Sequence, residues 1–375
     1  MIKEAKEVPR FQVQLHFGLF PGTTAATTPQ LRNYPYKAIT AQSSCWVFVS
    51  SEYENLVNMV ATEEGWHFAS DRVKLYTKTW KTDGPPKAII AFVHGFSDHC
   101  NSYYDLFPTL ASFEIEIRAV DQRGWGRSVT DKASRGRTGG TEVVMSDIHS
   151  FVTSIFESIK STTVSDHDAS HSETPVFMMG HSKGGAEVLY YALNSSLDLP
   201  PIAGVLAYSP LIALHTSTRP WNLTVFLGRM ASKIMPSFQL VTPLDEYLMS
   251  RDKRVCEEWR RDPLCHDTGT LEGIAGMMDR ALWLESEQAG KNCKYKLPIW
   301  VCHGSADEIN SYEASKRFVE RLESDDKTFK SYEGAYHKLH GEPDGVKESL
   351  AKDVAEWIFK RCEGPARPNA SRAKL

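Results

Sequence analysis

The sequence predicts an α/β fold, a mostly parallel, doubly wound sheet interrupted by an inserted helical segment. Three observations carry this. From about residue 65 to residue 210, short apolar runs alternate with stretches of helical periodicity, the pattern of parallel strands joined by crossover helices. Over residues 211–296 the alternation stops, and the segment reads as helical with no convincing strand. It then resumes and runs to about residue 363.

The elements follow in order. "GWHFAS" and "VKLYTKTW" alternate apolar and polar residues like paired edge strands separated by Asp71-Arg72. "KAIIAFVHGF" is a continuous β-branched run ending in glycine, which reads as a strand buried on both faces. "EIEIRAVDQRG" ends another strand near Asp121. Val144, Ile148, Phe151, Val152, Ile155 and Ile159 then recur at helical spacing. "PVFMMG" and "IAGVLAYSP" are further short strands, with a helix from Gly184 to Leu197 between them. "WNLTVFLGRMASKIM" and "LEGIAGMMDRALWLES" supply the inserted helices. "LPIWVCHGSAD", "KTFKSYEGAYH" and "KESLAKDVAEWIFKRC" close the sheet as strand, strand and helix. The expected division is a core of residues 62–210 and 297–363 and a helical cap of residues 211–296 over the carboxyl edge of the sheet, where such folds bind ligands. Residues 1–61 and 364–375 are expected to be loosely held arms.

Composition narrows the function. The net charge of −4 comes from interspersed acids and bases, so no nucleic-acid surface is expected. No apolar stretch approaches the roughly 18 residues that span a bilayer. The seven cysteines are odd in number, scattered, and form no CxxC. That argues against a disulfide framework or a zinc site and suits a reducing, intracellular compartment. The N-terminus lacks the charge, apolar core and small-residue cleavage site that mark a secretory signal, so none is expected. Residues 8–51 lack Asp and Glu, a transit-peptide trait, but only Arg10, Arg32 and Lys37 supply charge there.

The chemistry centres on Gly180-His181-Ser182-Lys183-Gly184, which fits G-x-S-x-G, a strained strand-to-helix turn that exposes a serine oxygen. Larger residues at the two glycines would collide across so tight a turn. The serine opens a helix, whose dipole favours a developing oxyanion. Such a nucleophile needs a base, and the base an orienting acid, in the chain order Ser, Asp or Glu, His. Of thirteen histidines only His337 and His340 lie beyond the last strand able to bear the acid. His337 stands nearer the strand end and is the expected base, with His340 its rival. Asp307 alone follows a buried strand directly at its carboxyl end, whereas Asp245, Asp252, Asp262, Asp267 and Asp279 fall in the insert. The backbone amides of Lys183 and Phe96 are the expected oxyanion donors, which leaves the Lys183 side chain free to vary. This chemistry needs no cofactor and no metal.

Together these residues resemble the fungal-type monoacylglycerol lipase family, serine hydrolases of the α/β-hydrolase fold. The similarity runs from about Gly65 to Cys362 and is carried by "FVHGFSDH", "DQRGWGRS", "GHSKGG", "YSPLI", "RDPLC", "HGSADEI" and "YEGAYHKLHGEP". By resemblance Ser182 is the nucleophile, Asp307 the acid and His337 the base, with Phe96 and Lys183 as oxyanion donors. The family's elbow often has methionine where Lys183 stands, which matters little for a backbone donor. Asp98 and His99 match an acidic-His pair near the glycerol end of the family's pocket, and read equally as solvated residues of a rim loop. The resemblance implies hydrolysis of a monoacylglycerol, or a similar long-chain ester, to fatty acid and glycerol through an acyl-enzyme on Ser182. The implied partner is a small lipid ester, with peripheral contact of the cap to a membrane or lipid droplet. Trp221, Phe226, Met230, Ile234 and Met235 could line an acyl tunnel, rest on a lipid surface, or simply pack onto the sheet.

Two other readings stand beside it. A serine aminopeptidase or small-ester hydrolase of the same superfamily would use cap acids such as Asp262 or Glu272 to hold a substrate amine. A non-catalytic hydrolase-fold module would bind a ligand or partner instead. The expected location is the cytoplasm or a lipid surface, with the peroxisome as an alternative because Ala373-Lys374-Leu375 is close to the S-K-L address.

Overall fold

The structure, a computed structural model, describes residues 38–39, 47–48, 60–165, 174–194, 198–219, 222–291, 293 and 295–362. Trp221, the side chain of Phe226 and the terminal tripeptide Ala373-Lys374-Leu375 lie outside the described residues, as does most of the expected N-terminal arm. Residues 1–59 and 60–375 form two separate units. In the first, β1 (Ala38–Ile39) pairs antiparallel with β2 (Val47–Phe48).

The second unit is built on an eight-stranded sheet. Its strands are β3 (Thr62–Phe68), β4 (Lys74–Trp80), β5 (Ala88–Val93), β6 (Ile115–Val120), β7 (Val176–His181), β8 (Val205–Tyr208), β11 (Ile299–Gly304) and β12 (Lys327–Tyr332). Across the sheet the order is β12-β11-β8-β7-β5-β6-β4-β3. All neighbours from β12 to β6 run parallel, and β3 and β4 add an antiparallel hairpin at one edge. The helices are α1 (Leu106–Ser112), α2 (Thr141–Ser165), α3 (Lys183–Leu193), α4 (Asn222–Ile234), α5 (Lys253–Arg261), α6 (Leu271–Glu285), α7 (Tyr312–Arg321) and α8 (Val346–Cys362).

The period-2 geometry of a strand explains why the central runs are apolar throughout. In β5, Ile89, Ala91 and Val93 enter one core with residues of α2, α3 and α7, while Ala88, Ile90 and Phe92 enter a second with residues of α1 and α8. Both faces are covered, so no position on the strand tolerates water. The helical stripe foreseen in α2 is buried against the first core through Val144, Ile148, Phe151, Val152 and Ile155. Each such side chain contributes about 1.5–3 kcal/mol on full burial.

Three expectations need correction. The insert is not free of strands, because β9 (Gln239–Val241) and β10 (Thr268–Thr270) pair antiparallel within it. Three residues each are too few to show an alternating pattern. Helix α3 ends at Leu193, capped by Asn194, earlier than the apolar pattern suggested. Met230, Ile234 and Met235 do not line a tunnel, being 48%, 77% and 50% exposed.

Candidate active site

The parallel strands end along one edge, and the loops that leave this edge carry the chemistry. Ser182 follows β7 and caps α3 with φ 54° and ψ −118°. A left-handed serine is strained by about 1–3 kcal/mol and persists only where its surroundings enforce it. The enforcement is visible. The Ser182 amide donates to the Tyr208 carbonyl at 3.1 Å, and its own carbonyl accepts from Ala186 and Leu211 at 3.0 Å each. Glycine at 184 is a steric requirement, because a Cβ there would sit 2.2 Å from the Val93 carbonyl oxygen.

Asp307 lies in the loop between β11 and α7, and His337 in the loop after β12. These loops approach so closely that a Cβ on Gly304 would meet the Ala335 carbonyl at 2.3 Å. The result is a hydrogen-bonded chain. His337 Nε2 stands 2.9 Å from Ser182 Oγ, and His337 Nδ1 2.7 Å from Asp307 Oδ2. The second carboxylate oxygen of Asp307 accepts the amides of Ile309 and Asn310 at 2.8 and 3.0 Å. His303 Nε2 is 3.0 Å from Oδ2 as well, steadied by Ser315 on its other nitrogen at 2.9 Å. Burial alone would push the Asp307 carboxyl up. The charge of His337 and the bonds from His303 and His337 outweigh it and hold the group far below the usual range. An ionised acid fixes the His337 tautomer, Nδ1 carrying the proton and Nε2 facing the serine. His340, the rival base, instead places Nδ1 3.0 Å from the Tyr208 hydroxyl.

The expected oxyanion donors flank this chain. Phe96 and Lys183 both border the cavity beside Ser182, and among the described residues neither backbone amide has a protein acceptor. The loop bearing Phe96 is pinned by Gln122, whose amide donates to His94 Nε2 at 2.9 Å and whose Nε2 donates to the His94 carbonyl at 2.7 Å. Burial first, and the Lys183 charge second, push the His94 imidazole down to about 3, so it is neutral and can accept that bond. The Lys183 side chain is not free to vary. It is 3% exposed, and its ammonium donates to Gln122 Oε1 at 2.7 Å and to both Glu187 oxygens at 3.1 and 3.2 Å. Arg280 completes this buried network with a bond to Glu187 at 3.0 Å. Nothing in the elbow motif signals it, because Gln122 and Arg280 come from distant segments.

Asp98 and His99 are buried, not solvated rim residues, at 1% and 3% exposure. Asp98 borders the cavity and accepts from Ser102, from the Tyr103 hydroxyl at 3.2 Å, and from Lys338 at 3.3 Å. Burial would raise its pKa, but the Lys338 charge and the His181 bond hold it well below the ordinary value. His99 does not border the cavity. Its Nδ1 accepts the Asn101 amide at 3.2 Å, which puts its proton on Nε2, 2.9 Å from Asp262. His99, Asp262 and Cys265 place ligand-type atoms within 4.8 Å of one another, and the hydrogen bond joins the first two. The charged Lys338 and the carboxamide of Asn310 also border the cavity. Sequence reasoning missed both, although each lies within three residues of a triad position.

The cavity above Ser182 measures about 640 Å³. Leu211, Leu214, Leu244, Leu248, Ile274 and Met277 supply much of its wall, while Asp98, Lys338 and Asn310 join Ser182 and His337 as polar groups. Such a cleft suits a ligand with a long apolar part and a small polar part. Chemically, the arrangement can take a proton from a serine hydroxyl, hold the resulting imidazolium against a carboxylate, and offer two free amides to an oxyanion.

Residues 84–344 match the Hydrolase_4 family, described as serine aminopeptidase, S33. A Schizosaccharomyces pombe protein, named provisionally as a monoglyceride lipase, is 32% identical over 289 residues, 76% of this chain and 71% of the relative. The monoglyceride lipase of Homo sapiens is 28% identical over 78% of this chain and 89% of its own. A crystal structure of a soluble variant of Saccharomyces cerevisiae monoglyceride lipase with a substrate analog superposes with a TM-score of 0.72 at 26% identity, covering 81% of this chain and 97% of that one.

Proposed function

Because the chain belongs to the monoglyceride lipase branch of the Hydrolase_4 family of α/β hydrolases, we propose that it hydrolyses monoacylglycerols to fatty acid and glycerol through an acyl-enzyme on Ser182. The observation that carries this reading is the unbroken chain Ser182–His337–Asp307, at 2.9 and 2.7 Å, opening into an apolar cavity. In acylation His337 takes the Ser182 proton as Oγ attacks the ester carbon. Charge collects on the carbonyl oxygen, toward which the Phe96 and Lys183 amides are available. Collapse of the tetrahedral species expels glycerol, protonated by His337. Water then repeats the sequence on the acyl-enzyme.

Neither cap acid expected to hold a substrate amine reaches the cavity, although Asp245 of the cap does border it. Asp262 is engaged by His99, Glu272 is exposed, and neither borders the cavity. We also propose that the cap rests on a lipid surface. Met230, Ile234, Met235, Phe238 and Val241 are exposed on the segment that contributes Arg229, Leu240 and Val241 to the cavity wall. Apolar area of this kind binds interfaces in proportion to what it buries.

Turnover of monoolein against that of a prolyl arylamide tests the first reading. Monoolein should be cleaved by the wild-type protein and not by Ser182→Ala, with the arylamide inert. Cleavage of the arylamide alone would overturn it. Sedimentation with phosphatidylcholine vesicles tests the second, and Ile234→Glu/Phe238→Glu should reduce the bound fraction without loss on a soluble ester.

A further inference from the structure

Asn310 occupies a position the triad chemistry above does not use. It is 1% exposed and borders the cavity. Its side-chain nitrogen lies 2.8 Å from the Ser209 carbonyl and 3.5 Å from Ser182 Oγ. A carbonyl can only accept, so the contact with Ser209 fixes which end of the carboxamide is the NH₂. The second hydrogen of that NH₂ is thereby available to the serine oxygen. The Asn310 backbone is equally constrained. Its amide donates to Asp307 Oδ1 at 3.0 Å, and it forms an isolated antiparallel bridge to Leu214. Ser209, in turn, donates its hydroxyl to the His337 carbonyl at 2.8 Å. One residue thus touches the acid through its main chain, the nucleophile through its side chain, and the backbone of the base through Ser209.

We propose that Asn310 is a further catalytic residue, a carboxamide donor to Ser182 Oγ that assists its departure from the acyl-enzyme. The inference rests on the hydrolase reading and deepens it. In deacylation, water attacks the acyl carbon and gives a proton to His337, and the carbonyl pair moves onto oxygen. When the tetrahedral species collapses, that pair re-forms the carbonyl, the C–Oγ bond breaks, and the bonding electrons pass to Ser182 Oγ. His337 returns the proton to the same atom. During that step Oγ carries most of the departing charge, and a second donor beside His337 stabilises it. The 3.5 Å separation is long for a neutral hydroxyl and should shorten as charge builds, as catalytic bonds do on going from the resting enzyme to the reacting complex. In acylation the same donor stabilises the emerging alkoxide but also lowers its nucleophilicity, so the net effect there is smaller. The signature is therefore unequal effects on the two half-reactions, which a purely structural role would not produce.

Asn310→Leu keeps the shape and removes the donor, while Asn310→Ser keeps a small polar side chain too short to reach Ser182. Stopped-flow hydrolysis of p-nitrophenyl laurate separates acylation, seen as a p-nitrophenolate burst, from deacylation, seen as the steady rate. Both variants should show a burst of about one equivalent and a steady rate roughly 10-fold below wild type, the loss of one modest donor. Fluorophosphonate labelling, which reports the first half-reaction alone, should change less than 3-fold. A steady rate within 2-fold of wild type in either folded variant would overturn the proposal. Equal losses in labelling and steady rate would also overturn it. Should Asn310→Leu fail to fold, Asn310→Ser decides alone, folding being checked by near-UV circular dichroism. A wild-type chain that resists the fluorophosphonate would refute the hydrolase reading itself, and is thus told apart from failure of the Asn310 role.

Discussion

Replacing Lys183 by methionine removes one cation from a buried network while keeping its volume and its backbone amide. The ammonium gives up Gln122 at 2.7 Å and Glu187 at 3.1 and 3.2 Å, charge-assisted bonds of about 1.5–3 kcal/mol each. Opposing this, methionine need not be stripped of water, a penalty large enough that burial lowers the Lys183 pKa. The deciding term is what happens to Glu187. A buried carboxylate robbed of its only partner costs about 3–5 kcal/mol, but Arg280 remains 3.0 Å away. The net loss should therefore fall to about 2 kcal/mol, mostly from the unpaired Gln122 oxygen. For a domain of this size, with about 2.1 cal/mol/K of unfolding entropy per residue, that is about 3 °C in Tm by calorimetry. With the Lys183 amide as the proposed oxyanion donor, kcat on monoolein should stay within about 5-fold of wild type, since the proposed transition-state contact is unchanged. An unchanged Tm with kcat reduced 100-fold would refute this division between a structural side chain and a functional amide.

His337→Ala should lower kcat by several orders of magnitude, whereas His340→Ala, whose ring bonds Tyr208, should cost Tm and leave kcat nearly intact; the reverse pattern would exchange their roles. Asp307→Asn should reduce kcat by about 10³–10⁴, since an amide no longer selects the required tautomer of His337, while the melting curve stays cooperative. Stability should fall with acid. Burial pushes His181 down to about 4 and His94 down to about 3, so between about pH 6.5 and those values the unfolded chain binds more protons than the folded one. Each histidine then removes about 1.4 kcal/mol per pH unit as pH drops. A Tm that stays level from pH 6.5 to 4.5 would contradict the neutral burial of these rings.

Much of this was legible because the strongest signals are local. The elbow, the buried run into His94-Gly95, and Asp307 at a strand's end each announce themselves within a few residues, and chain order then selects His337. The contacts that escaped notice are between segments. Lys183 looked like a bystander because Gln122 and Arg280, which hold it, come from elsewhere in the chain. His99 looked like a pocket residue because only the fold turns it toward Asp262. The ribbon of β9 and β10 was illegible for another reason, as three residues ending in "TGT" have no periodicity to read. Met230 and Ile234 carried an apolar stripe whose direction, outward, is set only by how α4 packs.

We propose, above all, that Ser182, His337 and Asp307 act as one unit. Mass spectrometry of the protein after a fluorophosphonate treatment tests it most directly. One adduct per chain should form on the peptide containing Ser182, at least 100-fold more slowly in His337→Ala and Asp307→Asn. Adducts on another residue, or an undiminished rate without His337, would contradict it.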